Sequence, residues 1–176
     1  ASHNDFLDNG IKIFNEDGEK ISRDIEKRIE KHLAGDLSSL ETSAIGKAYR
    51  FDESGPRYIE FCKSTVPSEI SFSSLRIVLD CANGACYKVS PEVFEELGAE
   101  IIKIGTEPDG YNINQECGST HPEIVSKAVV KHRADFGVSL DGDGDRVILV
   151  DEKGNILDGD DLLYILAFAN PNRTGT

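Results

Sequence analysis

Three aspartates at alternate positions, Asp141, Asp143 and Asp145, are separated only by Gly142 and Gly144 and are followed at once by Arg146. Along an extended strand, residues two apart share a face but stand about 6.5–7 Å apart, so the outer pair would be about 13 Å apart and could not share an ion. For the carboxylates to converge, the chain must fold back, and the two glycines permit this because they accept backbone angles that a β-carbon resists. Three hard oxygen donors at one point suit Mg²⁺ or Ca²⁺ over the softer metals that prefer histidine or cysteine. A calcium EF-hand is a rival, since the three aspartates fall at its first, third and fifth places and Glu152 at its twelfth. The match fails at the sixth, which demands glycine and here is Arg146, and residues 138–140 and 147–150 read as strands where an EF-hand needs helices. An acidic solvated turn is the other alternative, and against it stands the repulsion of three like charges without a cation. Arg146 offers a planar positive fork suited to carboxylate or phosphate, or serves as a charge partner for the aspartates.

The elements that must position this loop are readable from periodicity. Ser22 is a candidate N-cap, and Ile21, Ile25, Ile29 and Leu33 recur every four residues, which predicts an amphipathic helix ending near Gly35. Before it, Asn9-Gly10 predicts a turn into a short strand at 11–14, ended by a turn at 15–18. The polar, irregular stretch between Gly35 and Pro56 places a domain junction near residue 52. Beyond it the reading is a helix over 57–65, a strand over 75–80, a turn containing Gly84, a helix ending at Leu97-Gly98, a strand over 101–104, a helix over 122–132 and a strand over 136–140 that runs into the aspartates. A hairpin around 152–154 and a final apolar helix from about residue 158 follow. Strands alternating with helices predict an α/β fold, a mainly parallel mixed sheet with helices on both faces.

Bulk properties bound the function. A chain of 176 residues, 39% hydrophobic and 29% charged, has room for one full core and a smaller unit. Its net charge of −13 argues against passive binding of nucleic acid, and a phosphorylated substrate would need a bound cation and a few placed Lys or Arg side chains. No apolar run is long enough for a membrane span and the first residues lack the form of a secretion signal, so a cytoplasmic protein is expected. The four cysteines, Cys62, Cys81, Cys86 and Cys117, form no C-x-x-C pair and are expected to be reduced thiols.

Ser2-His3-Asn4 by itself would be a frayed terminus. Together with Asp8-Asn9-Gly10-Ile11-Lys12, however, it is similar to the active-site serine motif of the α-D-phosphohexomutase superfamily, and Asp141-Gly-Asp-Gly-Asp-Arg146 resembles that family's metal-binding motif, in the family's order and at about its spacing. The stretches 80–85 and 107–123 resemble the branch of the family that acts on amino sugars; read without the resemblance they are a strand-to-helix turn and a surface loop with no direct chemistry.

The resemblance implies a phosphoserine at Ser2, one Mg²⁺ held by Asp141, Asp143, Asp145 and a phosphate oxygen on Ser2, and an amino-sugar phosphate as substrate. It also implies Lys12 as the group that orients or exchanges a proton with the attacking hydroxyl. Arg146 and His3 complete the catalytic candidates; in an extended segment His3 points differently from its neighbour Ser2, which argues against it as the base and leaves it as a phosphate contact. The step lies on the way to bacterial cell-wall amino sugars, through a sugar bisphosphate, with no nucleic acid or membrane involved, and the resemblance admits a dimer of the full-length enzyme. Sister enzymes acting on mannose or glucose phosphates, and a non-catalytic α/β module that binds divalent metal, are the competing readings. The family has four domains, so residues 1–52 are expected to be the C-terminal part of the first and 53–176 the second, a fragment that does not turn over alone. Two positions depart from the family's pattern. Asp5 stands where proline is usual, adding a carboxylate beside the serine, and Asp109 stands where asparagine is commoner.

Overall fold

The computed structural model describes residues 2–8, 10–35, 47 and 49–169. Asn9 of the first expected turn, the polar run at 38–43 and the tail at 173–176 lie outside the described residues. Contacts divide the chain into two compact units, one made of Ala1–Asp8 with Glu53–Thr176 and the other of Asn9–Asp52.

The smaller unit is built on α1 (Arg23–Leu33), whose start at Ser22 and amphipathic pattern follow the sequence reading. Ser22 has the extended N-cap backbone, although its side chain makes no capping bond. The expected strand at 11–14 does not form. A single antiparallel bridge joins Phe14 to Lys20, closed by the Asn15 side chain, which accepts the N–H groups of Asp17 and Glu19 at 3.0 and 2.8 Å. One rung is as far as regular pairing goes, because a lone two-stranded ribbon gains too little burial to extend, and Ile11 is 91% exposed.

In the larger unit α2 (Ser54–Ser64) begins three residues earlier than expected, with Pro56 in its first turn, where a missing N–H costs nothing. The remaining elements are β1 (Arg76–Asp80), α3 (Val89–Glu96), β2 (Glu100–Ile104), α4 (Pro122–His132), β3 (Phe136–Leu140), β4 (Val147–Val150), β5 (Ile156–Leu157) and α5 (Gly159–Ala169). Five strands form one mixed sheet in the order β2-β1-β3-β4-β5. β1 pairs in parallel with both β2 and β3, while β4 and β5 extend the sheet antiparallel.

Helices cover both faces. Alternation along β1 sends Ile77 and Leu79 to one side, where they meet Phe72, Leu75, Phe94 of α3 and Val138, and sends Val78 to the other, against Val125 and Val129 of α4 and Val150. All three β1 side chains are fully buried, each contributing about 1.5–3 kcal/mol, which makes β1 the centre of the fold. α2 packs on α3 and is tied to it by Lys63, which bonds Glu96 at 2.6 Å.

Gly137 lies between Val78 and Val150 in the sheet, and α4 seats against it. A β-carbon there would run into Val125 Cγ1 and stand 2.8 Å from Val129 Cγ2. Gly137→Ala is therefore expected to lower stability by about 1–3 kcal/mol, read as a fall in the urea midpoint.

Asp80, at the carboxyl end of β1, is fully buried. Its two oxygens accept the N–H of Ala82 at 2.8 Å and of Gly118 at 2.7 Å, tying the turn after β1 to the loop before α4. Burial pushes this carboxyl above its ordinary value of 3.8, outweighing the two backbone donors. Folding thus favours the protonated form: its contribution is complete below the unfolded-state value and is lost as pH rises through the higher folded-state value. Asp80→Asn does not titrate. The stability of the parent minus that of the variant is expected to fall as pH rises from below the ordinary carboxyl value of 3.8 to above it, in urea denaturation.

Candidate metal centre

All three parallel strands point their carboxyl ends at the same edge of the sheet, and the loops that leave them there, 81–88 after β1, 105–121 after β2 and 141–146 after β3, form the site. β4 returns antiparallel to β3, so the six residues between them must reverse the chain. Gly144 supplies the reversal with a φ of +74° and an N–H bonded to the Asp141 carbonyl at 3.1 Å. Gly142 has a different role from the backbone freedom expected of it. A β-carbon there would collide with the Ser2 carbonyl and stand 2.9 Å from Ile113 Cδ1, so glycine is needed for close approach.

The reversal gathers the carboxylates, whose ligand oxygens lie within 4.8 Å of one another. Asp141 is buried, and Asp143 and Asp145 are exposed. The Ser2 hydroxyl donates to Asp141 Oδ2 at 2.6 Å and reaches Asp145 Oδ1 at 3.4 Å, joining residues 139 and 143 positions apart. The Arg146 N–H donates to Asp141 Oδ1 at 3.2 Å, and its guanidinium lies 3.9 Å from Asp141 and 4.0 Å from Asp145. Arg146 Nη1 also donates to His3 Nδ1 at 2.6 Å. Partial desolvation, and then the charges of Asp141 and Asp143, hold the Asp145 carboxyl above its usual range. Because that side chain is 66% exposed, the like charges are the part of the cause that a cation would reverse.

This donor set fits a small hard cation. Opposite oxygens around Mg²⁺ or Ca²⁺ stand roughly 4–5 Å apart, and the three ligand oxygens here all lie within 4.8 Å of one another. Cys86 packs against Gly144 beneath the loop, but its thiol, like those of Cys81 and Cys117, is raised by burial, the latter two to about 12 and about 11. All four cysteines are free thiols.

Ser2, His3, Asp141, Asp143, Asp145 and Arg146 are thus brought together within one unit. Lys12 belongs to the other, where it lines an apolar groove with Ile11, Phe14 and Ile29. Asp5 uses its carboxylate on its own backbone, accepting the Leu7 N–H at 2.9 Å at the start of a 3₁₀ turn over Phe6–Asp8. Asp109 does likewise for Tyr111 and Asn112 at 2.8 and 2.9 Å, a task an asparagine oxygen performs equally. His121 lies in its loop, 3.4 Å from Glu123.

The sequence reading missed how the serine segment is held. Of the two stretches without assigned chemistry, 107–123 supplies holding side chains, and 80–85 anchors that loop through the Ala82 carbonyl, which accepts the Asn114 N–H. Asn114 donates from its side chain to the Ser2 and Asn4 carbonyls, the Gly142 N–H bonds the Ser2 carbonyl, and Phe6 meets Tyr111 edge to face with ring centres 5.1 Å apart.

Comparison with known proteins bears on the same residues. Residues 56–154 match the family model described as phosphoglucomutase/phosphomannomutase, alpha/beta/alpha domain II, and residues 1–39 match alpha/beta/alpha domain I of that family. The chain is 52% identical over its whole length to a phosphoglucosamine mutase of Psychromonas ingrahamii, covering 40% of that protein. It is 55% identical over 95% of its length to the phosphoglucosamine mutase of Legionella pneumophila strain Lens, covering 37% of it. The chain therefore spans about two fifths of the length of the curated relatives it matches. Among solved structures, a phosphoglucomutase/phosphomannomutase family protein from Burkholderia thailandensis superposes with a TM-score of 0.63 at 26% identity, over 84% of this chain and 31% of that one. With one family model spanning β1 to β4 and the aspartate loop, and a second covering the serine segment, the chain belongs to the phosphoglucomutase/phosphomannomutase family.

Proposed function

We propose that this chain carries the phosphoryl-accepting serine and the metal site of an enzyme that interconverts glucosamine 6-phosphate and glucosamine 1-phosphate. The observation that carries the reading is the Ser2 hydroxyl, 2.6 Å from Asp141 at the edge of a cluster of three carboxylates. The amino-sugar substrate is supported by relatives at 52% and 55% identity that bear the name phosphoglucosamine mutase.

In this reading the phosphate on Ser2 is transferred to a hydroxyl of the sugar phosphate. The P–O bond to Ser2 breaks, one to the sugar oxygen forms, and the sugar hydroxyl gives up its proton. The bisphosphate turns over, and its other phosphate returns to Ser2 Oγ. Asp141, Asp143, Asp145 and an oxygen of the Ser2 phosphate would hold one Mg²⁺, which when bound supplies charge stabilisation to the phosphoryl group in transfer. Arg146 donates to His3 Nδ1 and so orients that ring, leaving Nε2 and the rest of the guanidinium for phosphate oxygens. Lys12 is proposed, on its match to the family's motif, as the group that exchanges the substrate proton.

Residues 1–52 are taken as the C-terminal part of the first family domain and 53–176 as the second. No helix among the described residues is long and apolar enough to cross a membrane, and the net charge of −13 disfavours nucleic acid. A place in the bacterial cytoplasm, on the way to cell-wall amino sugars, is proposed on the family resemblance and the bacterial relatives.

Phosphopeptide mass spectrometry on the full-length protein from cells should find phosphate on Ser2, and Ser2→Ala should cut turnover of glucosamine 6-phosphate by about a thousandfold or more. An unphosphorylated Ser2 combined with an active Ser2→Ala variant would sink the reading. Glucose and mannose phosphates, tested in competition, should be the poorer substrates, whereas a preference for either assigns the protein to a sister activity. Asp143→Asn removes an exposed ligand without disturbing the core, and it is expected to weaken Mn²⁺ binding, followed by paramagnetic resonance, at least about tenfold. Chelation with EDTA should abolish turnover, and Mg²⁺ should restore it.

A further inference from the structure

Asn114 is only 8% exposed at the edge of the site, and its side chain is turned to the serine segment. Its residue sits in the left-handed region with φ +57°, and its N–H donates to the Ala82 carbonyl at 2.8 Å, so the backbone is anchored to the turn after β1. From that anchor both protons on Nδ2 are spent on the serine segment, one on the Ser2 carbonyl at 2.9 Å and one on the Asn4 carbonyl at 2.8 Å. The Ser2 carbonyl receives a second donor from the metal loop itself, the Gly142 N–H at 3.1 Å. Oδ1 of Asn114 has no partner, which makes the amide one-sided: turned over, it would set an oxygen against two carbonyl oxygens.

We propose that Asn114 is a positioning residue that sets the register of Ser2 against the aspartate loop, so that the phosphoryl group on Ser2 is presented in line to the sugar hydroxyl. A planar amide bridging carbonyls two residues apart fixes the Ser2-His3-Asn4 bend. That bend directs Ser2 Oγ to Asp141 and His3 to Arg146. Asparagine is suited on two counts, since it tolerates the left-handed backbone and carries two donors on one short planar group. The proposal rests on the phosphoserine reading for its consequence in catalysis, but the clamp itself is independent of that reading.

Two variants test it in the full-length protein. Asn114→Asp keeps the size and backbone preference and replaces the donors with an oxygen. Asn114→Gly removes the side chain without backbone strain. For both, kcat for the sugar phosphate is expected to fall about a hundredfold, the cost of a misplacement near 1 Å, with KM within about twofold. In the same proteins without metal, hydrogen exchange at the Gly142 amide should accelerate about tenfold while amides of β1 keep their protection. If Asn114→Asp does not fold, Asn114→Gly carries both measurements. Wild-type kcat, or a Gly142 amide as protected as in the parent, overturns the proposal. Failure of the phosphoserine reading is separable, because it would leave Ser2→Ala active while the Gly142 exchange still reports on the clamp.

Discussion

Three carboxylates within 4.8 Å of one another repel, and the larger unit is organised around holding them there. Asp141 is the buried member and accepts the Ser2 hydroxyl and the Arg146 N–H. Asp143 and Asp145 remain toward water, where their charges cost less and an incoming cation can reach them. The single guanidinium of Arg146 offsets part of the charge and is shared with His3. A cation at the cluster would relieve this repulsion, which after desolvation is the next cause raising the Asp145 carboxyl.

A loop carrying that repulsion needs a stiff base. It hangs between β3 and β4, and β3 leans on β1, whose side chains are buried on both faces of the sheet. Gly137 lets α4 approach β3 closely, so the strand that feeds the aspartates is clamped from above as well as from its neighbours. The alternation of β1 divides the core between the two helical layers, and the carboxyl edge of the parallel strands is left as the place where loops can meet.

Two buried polar side chains, Asp80 and Asn114, join those loops to one another. Asp80 draws the loop before α4 onto the turn after β1, and Asn114 draws the serine segment onto the same turn. A buried polar group that loses its partners costs about 1–3 kcal/mol, so each such bond specifies one arrangement over its neighbours more than it adds raw stability. The carboxylates of Asp5 and Asp109 both turn to backbone N–H groups of their own loops.

Periodicity along the chain was sufficient for the order of elements in the larger unit. The α4 and β3 spans read from 122–132 and 136–140 are the observed ones, because apolar spacing and the flanking Pro122 are local signals. It failed at 11–14, where a strand-like composition has no partner strand among the described residues to complete it. The chemistry of the aspartate loop was equally local, since donor type and the need to fold back follow from five residues. What the tertiary structure alone decided is which distant segments meet. Ser2 and Asp141 are 139 residues apart, and nothing in either stretch states that distance. Their meeting depends on two parallel crossovers bringing three loop starts to one edge, and on an asparagine whose donors are matched to carbonyls that no pattern of side chains encodes.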